Sequence, residues 1–247
     1  MGMSVVLEKR SNGVAIITID RPQVLNALDV PAKERLGAIW REISEDGSVR
    51  VAVLTGAGEK AFCAGSDIKE INATGRMAST ETLLRALPGV AIPLAKPVIA
   101  ALHGHCVGMG MTLALHCDLR IAGRNTVLGY PEVRHGMISA VSALRLPQVI
   151  ASAQALELLL IARNITAEEA LRFGLLNAVV DDPKAEAERW ASMIAGYSPA
   201  AVQATKRLAM LARRLSAEER SQIAAARAEV EGHEDYKQGA AAFMARA

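Results

Sequence analysis

The chain has 247 residues, of which 51% are hydrophobic and 22% charged. That length is enough for one large domain and does not require a second. The 28 basic and 26 acidic residues leave a formal net charge of +2 and are spread along the chain without a block of like charge. Because only 3% of the residues are aromatic and could stack on exposed bases, the composition argues against a nucleic-acid partner.

Cysteine usage and the apolar runs bear on the cellular compartment. Cys63, Cys106 and Cys117 show no CxxC spacing, and the start of the chain passes directly into charged sequence without a secretory leader. The longest apolar runs are far shorter than the ~20 residues of a membrane-spanning helix. We therefore expect a cytoplasmic protein with no membrane partner.

Strand and helix patterns alternate in the first half of the chain. Runs rich in β-branched residues at 14–19 and 51–55 predict two strands, and apolar residues at helical spacing between them predict a helix. Asp29 would cap the first turn of that helix. Further strand patterns lie at 98–102, 119–122 and 126–128. This repeated order predicts an α/β domain with a mainly parallel sheet buried between helices.

The pattern after about residue 139 is helical throughout. Two capping-box signatures, Thr166–Glu169 and Ser216–Glu219, predict helix starts, and Gly174 is placed to end the helix that the first one opens. Alanine-rich helices such as 222–230 bury little area by themselves. We therefore expect the C-terminal third to pack on the core or on neighbouring subunits.

Two small-residue turns are candidates for holding negative charge. In Phe62–Lys69, Gly65 permits a sharp bend that leaves the following backbone amides accessible to an oxyanion. A plain turn capped by Asp67 explains the same residues equally well. In 103–118, a glycine-lined turn leads into an apolar helix whose N-terminal amides and dipole favour an anion.

Two other patterns suggest a cofactor or a metal, and neither is specific. Gly56–Ala61 follows a strand and loosely matches a dinucleotide-binding pattern, but 62–65 intervenes before any helical run. His103, His105 and His116 have no partner carboxylate at a ligand-like spacing. We therefore expect structural histidines, no metal and no dinucleotide.

Glu132 is the candidate proton carrier. It directly follows Pro131 in a largely apolar neighbourhood. Burial there would raise the pKa of the carboxyl group toward the range useful for moving protons. By spacing alone, however, a lone glutamate is more often a surface residue.

These segments together resemble the crotonase superfamily, also called the enoyl-CoA hydratase/isomerase family. The resemblance covers nearly the whole chain, with many motifs in one order. The motifs are Asp20–Pro22, Leu25–Leu28, Thr55–Gly58, Phe62–Glu70, Lys96–Ala101, Cys117–Ala122, Tyr130–Val133, Ile165–Ala170 and Gly174–Ala178.

The resemblance implies a fold and an assembly. The fold is a spiral of repeated ββα turns followed by a C-terminal helical trimerisation region. This divides the chain into a core at 1–190 and an oligomerisation region at 191–247. The assembly would be a homotrimer or a dimer of trimers.

The resemblance also implies a substrate and its contacts. The substrate is an acyl-CoA, with coenzyme A as part of the substrate and no separate cofactor. The thioester oxygen would accept hydrogen bonds from the backbone amides of Ser66 and Met109, which form the oxyanion hole. The residues expected along the CoA path are Ala64, Gly65, Ser66, Asp67 and Ile68.

Three departures from the family pattern affect the expected chemistry. Typical hydratases of the family carry two glutamates, but here the first position is Thr112 and only Glu132 remains. Threonine cannot act as a carboxylate base, although its hydroxyl group can hold a water. Met109 stands where the family usually has glycine, and 136–146 lacks the usual proline and glycines.

The implied function is an enoyl-CoA hydratase or isomerase that stabilises a thioester enolate and uses Glu132 as its single acid and base. Moving a double bond needs one base that takes a proton and returns it elsewhere, whereas two carboxylates divide hydration conveniently. Some family members nevertheless hydrate with one glutamate. The alternatives are a decarboxylase, a thioester hydrolase, or a catalytically silent acyl-CoA-binding homologue.

Overall fold

Two β-sheets form the centre of the computed structural model, which describes residues 4–74, 78–210 and 216–232. The larger sheet has the strand order β1 (Val5–Lys9), β2 (Val14–Ile19), β3 (Val51–Gly56), β5 (Val98–Leu102), β7 (Leu119–Gly123) and β10 (Ala178–Val180). The smaller sheet has the order β4 (Ala61–Cys63), β6 (His105–Val107), β8 (Val127–Gly129) and β9 (Ile165–Thr166).

From β3 to β8, successive strands alternate between the two sheets. β3, β5 and β7 are parallel neighbours in the larger sheet, and the strands that follow them, β4, β6 and β8, are parallel neighbours in the smaller one. A helix follows each strand pair: α2 (Ile68–Thr74), α4 (Met109–His116) and α5 (Ala140–Arg145). The chain therefore winds as a spiral of ββα turns, which confirms the predicted fold class.

The other helices surround this spiral. They are α1 (Val30–Glu45), α3 (Thr80–Ala86), α6 (Ser152–Leu156) with a π-helical turn at Glu157–Ile161, α7 (Ala167–Arg172), α8 (Pro183–Ala195), α9 (Pro199–Ala209) and α10 (Ala217–Gly232). Short 3-10 turns lie at Pro22–Val24, Glu132–His135 and Leu146–Gln148. Among the described helices, none is long and apolar enough to cross a membrane.

The larger sheet is buried on both faces. Along β2, Val14 and Ile16 pack in a cluster with α8, whereas Ile17 and Ile19 belong to the main core with α1. This double burial explains why the strand is apolar at nearly every position instead of alternating. On α1, Asp29 caps the helix as predicted by accepting a hydrogen bond from the Ala32 N–H.

The prediction of helix throughout the C-terminal third is wrong in two places. β9 and β10 are strands in this region, and β1 near the start of the chain had no prediction. β9 has two residues and β10 three, too short for a recognisable alternation. Both predicted capping boxes are present, and Gly174 ends α7 with a positive φ of 79°.

The last described helix packs on the rest of the chain. Ile223 of α10 is buried, and the Arg227 guanidinium donates a hydrogen bond to the Thr80 hydroxyl. The predicted boundary at 190/191 falls inside α8, whose Ala187 and Ala191 both pack on the larger sheet. The division into core and oligomerisation region stays a prediction.

Gly110→Ala should destabilise the protein because α4 begins in direct contact with β4. A Cβ at position 110 would lie 2.2 Å from the Cys63 carbonyl oxygen, a backbone atom that cannot move aside alone. Although alanine favours a helix, we expect the free energy of unfolding to fall by about 1–3 kcal/mol. Gly47→Ala is the matched control, since a Cβ at position 47 would have nothing within 4 Å of it. Equal urea midpoints for the two variants would contradict the contact.

Candidate functional site

A cavity lies where the turns that follow β4 and β6 meet the 3-10 turn that follows β8. Its empty space, including the open mouth, is about 860 Å³. Every predicted site residue except Asp67 lines it. The lining residues among those predicted are Ala64, Gly65, Ser66, Ile68, Met109, Thr112 and Glu132.

The two small-residue turns approach each other at this cavity. A Cβ on Gly65, whose φ is +113°, would lie 3.6 Å from the Met109 nitrogen. Within the described part of the chain, neither the Ser66 N–H nor the Met109 N–H donates a hydrogen bond to a protein acceptor, whereas the amides of neighbouring Ala64 and Asp67 do. Two amides that line one cavity without protein partners can donate to one anionic atom.

The Glu132 carboxyl group lies beside the second of these turns. A Cβ on Gly108 would be 3.3 Å from Glu132 Oε1. Glu132 Oε2 is buried without a hydrogen-bond partner among the described residues. Burial raises the pKa of Glu132, and the nearby Ser139 hydroxyl opposes this with a smaller effect. A carboxyl group in this setting holds its proton more readily than one in water and is suited to proton transfer near neutral pH.

The Thr112 hydroxyl is part of a small hydrogen-bond network. It donates to the Gly108 carbonyl oxygen at 3.1 Å and lies 2.8 Å from the Ser142 hydroxyl. Since a hydroxyl group has one proton, Ser142 is then the donor in the second contact. Thr112 therefore lines the cavity with its proton already committed to the protein, and one lone pair remains for a water.

Asp67 is the predicted site residue that the structure places outside the cavity lining. Its carboxylate accepts hydrogen bonds from the Lys69 N–H and the Glu70 N–H at the start of α2. It also forms an ion pair with Arg21 at 3.1 Å. The plain-turn interpretation therefore describes the Asp67 side chain, and a contact between this side chain and CoA stays untested.

Two buried cationic residues in the cavity wall were missed from the sequence. Lys33 on α1 and Arg227 on α10 line the cavity and are 2% and 5% exposed. Burial lowers the pKa of Lys33 to about 8. The available signal was its spacing, because Lys33 shares a helical stripe with Leu36 and Trp40, which are both fully buried.

The histidines were predicted to be structural. In the described part of the chain, no group of three or more His, Cys, Asp and Glu side chains is placed to hold a metal ion. His116 Nδ1 lies 2.8 Å from the Thr112 carbonyl oxygen. Burial lowers the pKa of His116 to about 4, so this ring is neutral at pH 7. The expectation that the protein needs no separate cofactor stays a prediction.

Comparisons with known proteins agree on one family. A family model described as Enoyl-CoA hydratase/isomerase matches residues 9–247. An (E)-benzylidenesuccinyl-CoA hydratase from Thauera aromatica is 42% identical over 85% of this chain and 83% of its own length. A short-chain-enoyl-CoA hydratase from Clostridium acetobutylicum is 38% identical over 82% of this chain and 79% of its own. The crystal structure of a carnitinyl-CoA hydratase from Mycobacterium avium, 34% identical, superposes with a TM-score of 0.90 over 100% of this chain and 97% of its own.

The stability of Glu132→Gln relative to the wild type should be greater at pH 8 than at pH 4. Below the ordinary glutamate pKa of 4.5 the carboxyl group is protonated in both the folded and unfolded states. As the pH rises through the window between 4.5 and the raised folded pKa, the unfolded chain ionises first and wild-type stability falls. Glutamine does not ionise. Between pH 4 and pH 8, the free energy of unfolding of the variant relative to the wild type should therefore rise by more than about 0.5 kcal/mol, the size typical of surface changes.

Urea denaturation at the two pH values measures this gain. Glu168→Gln, at an exposed position on α7, is the control and should follow the wild type at both. A Glu132→Gln variant whose stability relative to wild type is the same at pH 4 and pH 8 would show that ionising the Glu132 carboxyl group costs the fold nothing.

Proposed function

Because the chain belongs to the enoyl-CoA hydratase/isomerase family, the crotonase superfamily, we propose that the cavity holds the acyl end of a CoA thioester while Glu132 moves a proton beside the thioester carbonyl. The class of enzyme, an enoyl-CoA hydratase or isomerase acting on an acyl-CoA, follows from the family. The proposal about the cavity rests on one observation: two amides without protein partners among the described residues and one buried carboxyl group meet there.

The two amides would form an oxyanion hole. The Ser66 N–H and the Met109 N–H donate to the thioester oxygen, which becomes an enolate oxygen as the proton moves. Donors fixed in place before the reaction stabilise this charge most, and each contributes about 10²–10³-fold in rate. Methionine at 109 keeps the donor because the N–H belongs to the backbone, and its side chain is buried at the cavity wall.

Glu132 would then act as both base and acid. In hydration, Glu132 takes a proton from the water that adds to the β-carbon, and returns that proton to the α-carbon as the enolate collapses. The hydratase relatives at 42% and 38% identity favour this reaction. In isomerisation, Glu132 removes a proton from one carbon and returns it to another, which Thr112 in the place of a second glutamate favours.

The rest of the assignment follows the same cavity. Ala64, Gly65, Ser66 and Ile68 would contact the CoA moiety through the loop that they form, and Asp67 would support that loop through its ion pair with Arg21.

The proposal also includes an assembly and a location. The assembly is a homotrimer or a dimer of trimers built through 191–247, and it rests on the family resemblance. The cytoplasmic location rests on the cysteine pattern.

Glu132→Gln should abolish turnover while leaving acyl-CoA binding nearly intact. The amide keeps the size of the side chain but cannot accept a proton, and general acid–base catalysis is typically worth about 10²–10⁴-fold. Steady-state kinetics with (E)-2-enoyl-CoA thioesters should show the loss in kcat, and calorimetry should show an unchanged dissociation constant. Glu168→Gln on the exposed face of α7 is the control. Retention of more than about a tenth of the rate would place the proton transfer elsewhere.

A silent acyl-CoA-binding homologue would bind the same thioesters without moving a proton. Exchange of the α-proton of a saturated acyl-CoA in deuterated buffer separates the two functions, because it requires the enolate but no water addition. Wild-type protein should exchange the proton, and Glu132→Gln should not. Binding without any exchange by wild-type protein would favour the silent homologue.

Thr112→Glu should raise hydration of 2-enoyl-CoA thioesters. The side chain at 112 lines the cavity with Glu132, and Ser142 is in place to donate a hydrogen bond to a carboxylate there. We expect a gain on the order of tenfold, lower than a full acid–base contribution because two neighbouring carboxylates raise each other's pKa. Thr112→Gln has the same size without the charge and should give no gain. Equal hydration by both variants would identify pocket shape as the determinant.

A further inference from the structure

Lys33 is a buried amine, and its local hydrogen bonds do not explain why a lysine stands at this position. Its Nζ donates to the Leu28 carbonyl oxygen at 2.6 Å. That oxygen already accepts a hydrogen bond from the Asp67 N–H at 3.0 Å, so it needs no second donor. Among the described residues, no carboxylate lies within the 4.0 Å that defines an ion pair with Lys33.

Burying an ammonium group with one carbonyl partner is costly. The group loses its hydration and has three donors, of which the Leu28 carbonyl oxygen uses one. Leucine or methionine in the same apolar stripe of α1 would avoid this cost. A lysine at the wall of a substrate cavity is explained if a ligand supplies the missing anion.

The acids nearest to Lys33 are engaged with other groups. Both carboxylate oxygens of Glu70 accept from the Val30 N–H at 3.0 Å, and Asp29 pairs with Arg21 at 2.8 Å. Glu70 and Asp29 still favour the charged form of Lys33, whereas Arg227 opposes it. They thereby help Lys33 to remain a cation without occupying its donors.

The cavity as a whole favours an anion away from Glu132. Among its described lining residues, Glu132 is the acid, whereas Lys33 and Arg227 are basic. Arg227 donates to the Thr80 hydroxyl and pairs with Glu231 at 3.7 Å, so part of its charge is balanced on α10 and Lys33 is the stronger site for an anion. In a site of low dielectric, a buried cation attracts a carboxylate far more strongly than it would in water.

We propose that Lys33 binds a free carboxylate on the acyl group, so that the preferred substrates are enoyl-CoA thioesters of dicarboxylic acids. This inference rests on the proposed function and adds the substrate class. The carboxylate of the acyl group accepts hydrogen bonds from the ammonium group while the thioester lies at Ser66 and Met109. No covalent step is involved, and Lys33 sets specificity without touching the reacting carbons.

The test compares two thioesters of equal chain length, (E)-2-hexenedioyl-CoA with a free carboxylate and (E)-2-hexenoyl-CoA without one. Wild-type protein should prefer the first in kcat/KM. Lys33→Met should lose about 10- to 100-fold on the first, the range of a charge-assisted hydrogen bond, and less than about 3-fold on the second. Lys184→Met, at an exposed position on α8, should change neither. Pairs of shorter and of longer thioesters extend the test to the chain length at which the free carboxylate reaches Lys33.

Each other outcome has a distinct meaning. A wild-type preference for the neutral thioester at every length overturns the inference without any variant, even if Lys33→Met does not fold. Equal losses on both thioesters in Lys33→Met would show that Lys33 only supports the loop, and would overturn it too. Failure of wild-type protein to bind either thioester would remove the proposed function, and the inference with it.

Discussion

The contact between the start of α4 and the Cys63 carbonyl oxygen determines the geometry of the whole site. β4 and β6 pair in parallel, with Cys63 opposite Cys106, so the turns that follow them lie side by side. Gly110 lets α4 approach β4 without a side chain between them. The Met109 amide is thereby brought close to Gly65 and Ser66. The two amides proposed as donors belong to the backbone, so the fold fixes their positions whichever side chain stands at 109.

Burial shifts the pKa values of Glu132 and Lys33 in opposite directions for the same physical reason. It raises the pKa of Glu132 and lowers the pKa of Lys33, because removal from bulk solvent disfavours both charged forms. The same low-dielectric surroundings would strengthen hydrogen bonds from amides to a developing enolate. Burying Glu132 and Lys33 lowers the stability of the folded protein. The same burial provides the low-dielectric surroundings that the proposed reaction needs.

The sequence predicted the parts of the fold whose patterns are long or well capped. The helix containing Trp40 was predicted because several turns repeat its apolar spacing, and the strand at 14–19 because its six residues are rich in β-branched side chains. β9 and β10 were missed because two or three residues carry no period. Lys33 was missed because helical spacing indicates which side chains are buried but not which cavity they reach. The roles proposed for Glu132, Ser66 and Met109 came from the family resemblance, since spacing alone left each of them open.

The motif residues near the start of the chain hold the site in place without lining it. Asn26 is fully buried, accepts from the Arg21 N–H and donates to the carbonyl oxygens of Ala57 and Ala61 on either side of the turn before β4. The Leu28 N–H donates to the Gly65 carbonyl oxygen. These bonds fix the loop that carries Ser66 through backbone atoms and one amide side chain. In the proposed function, positions 112 and 33 would therefore change the acid–base chemistry and the preferred acyl group without moving the amides, because separate residues determine the geometry of the amides.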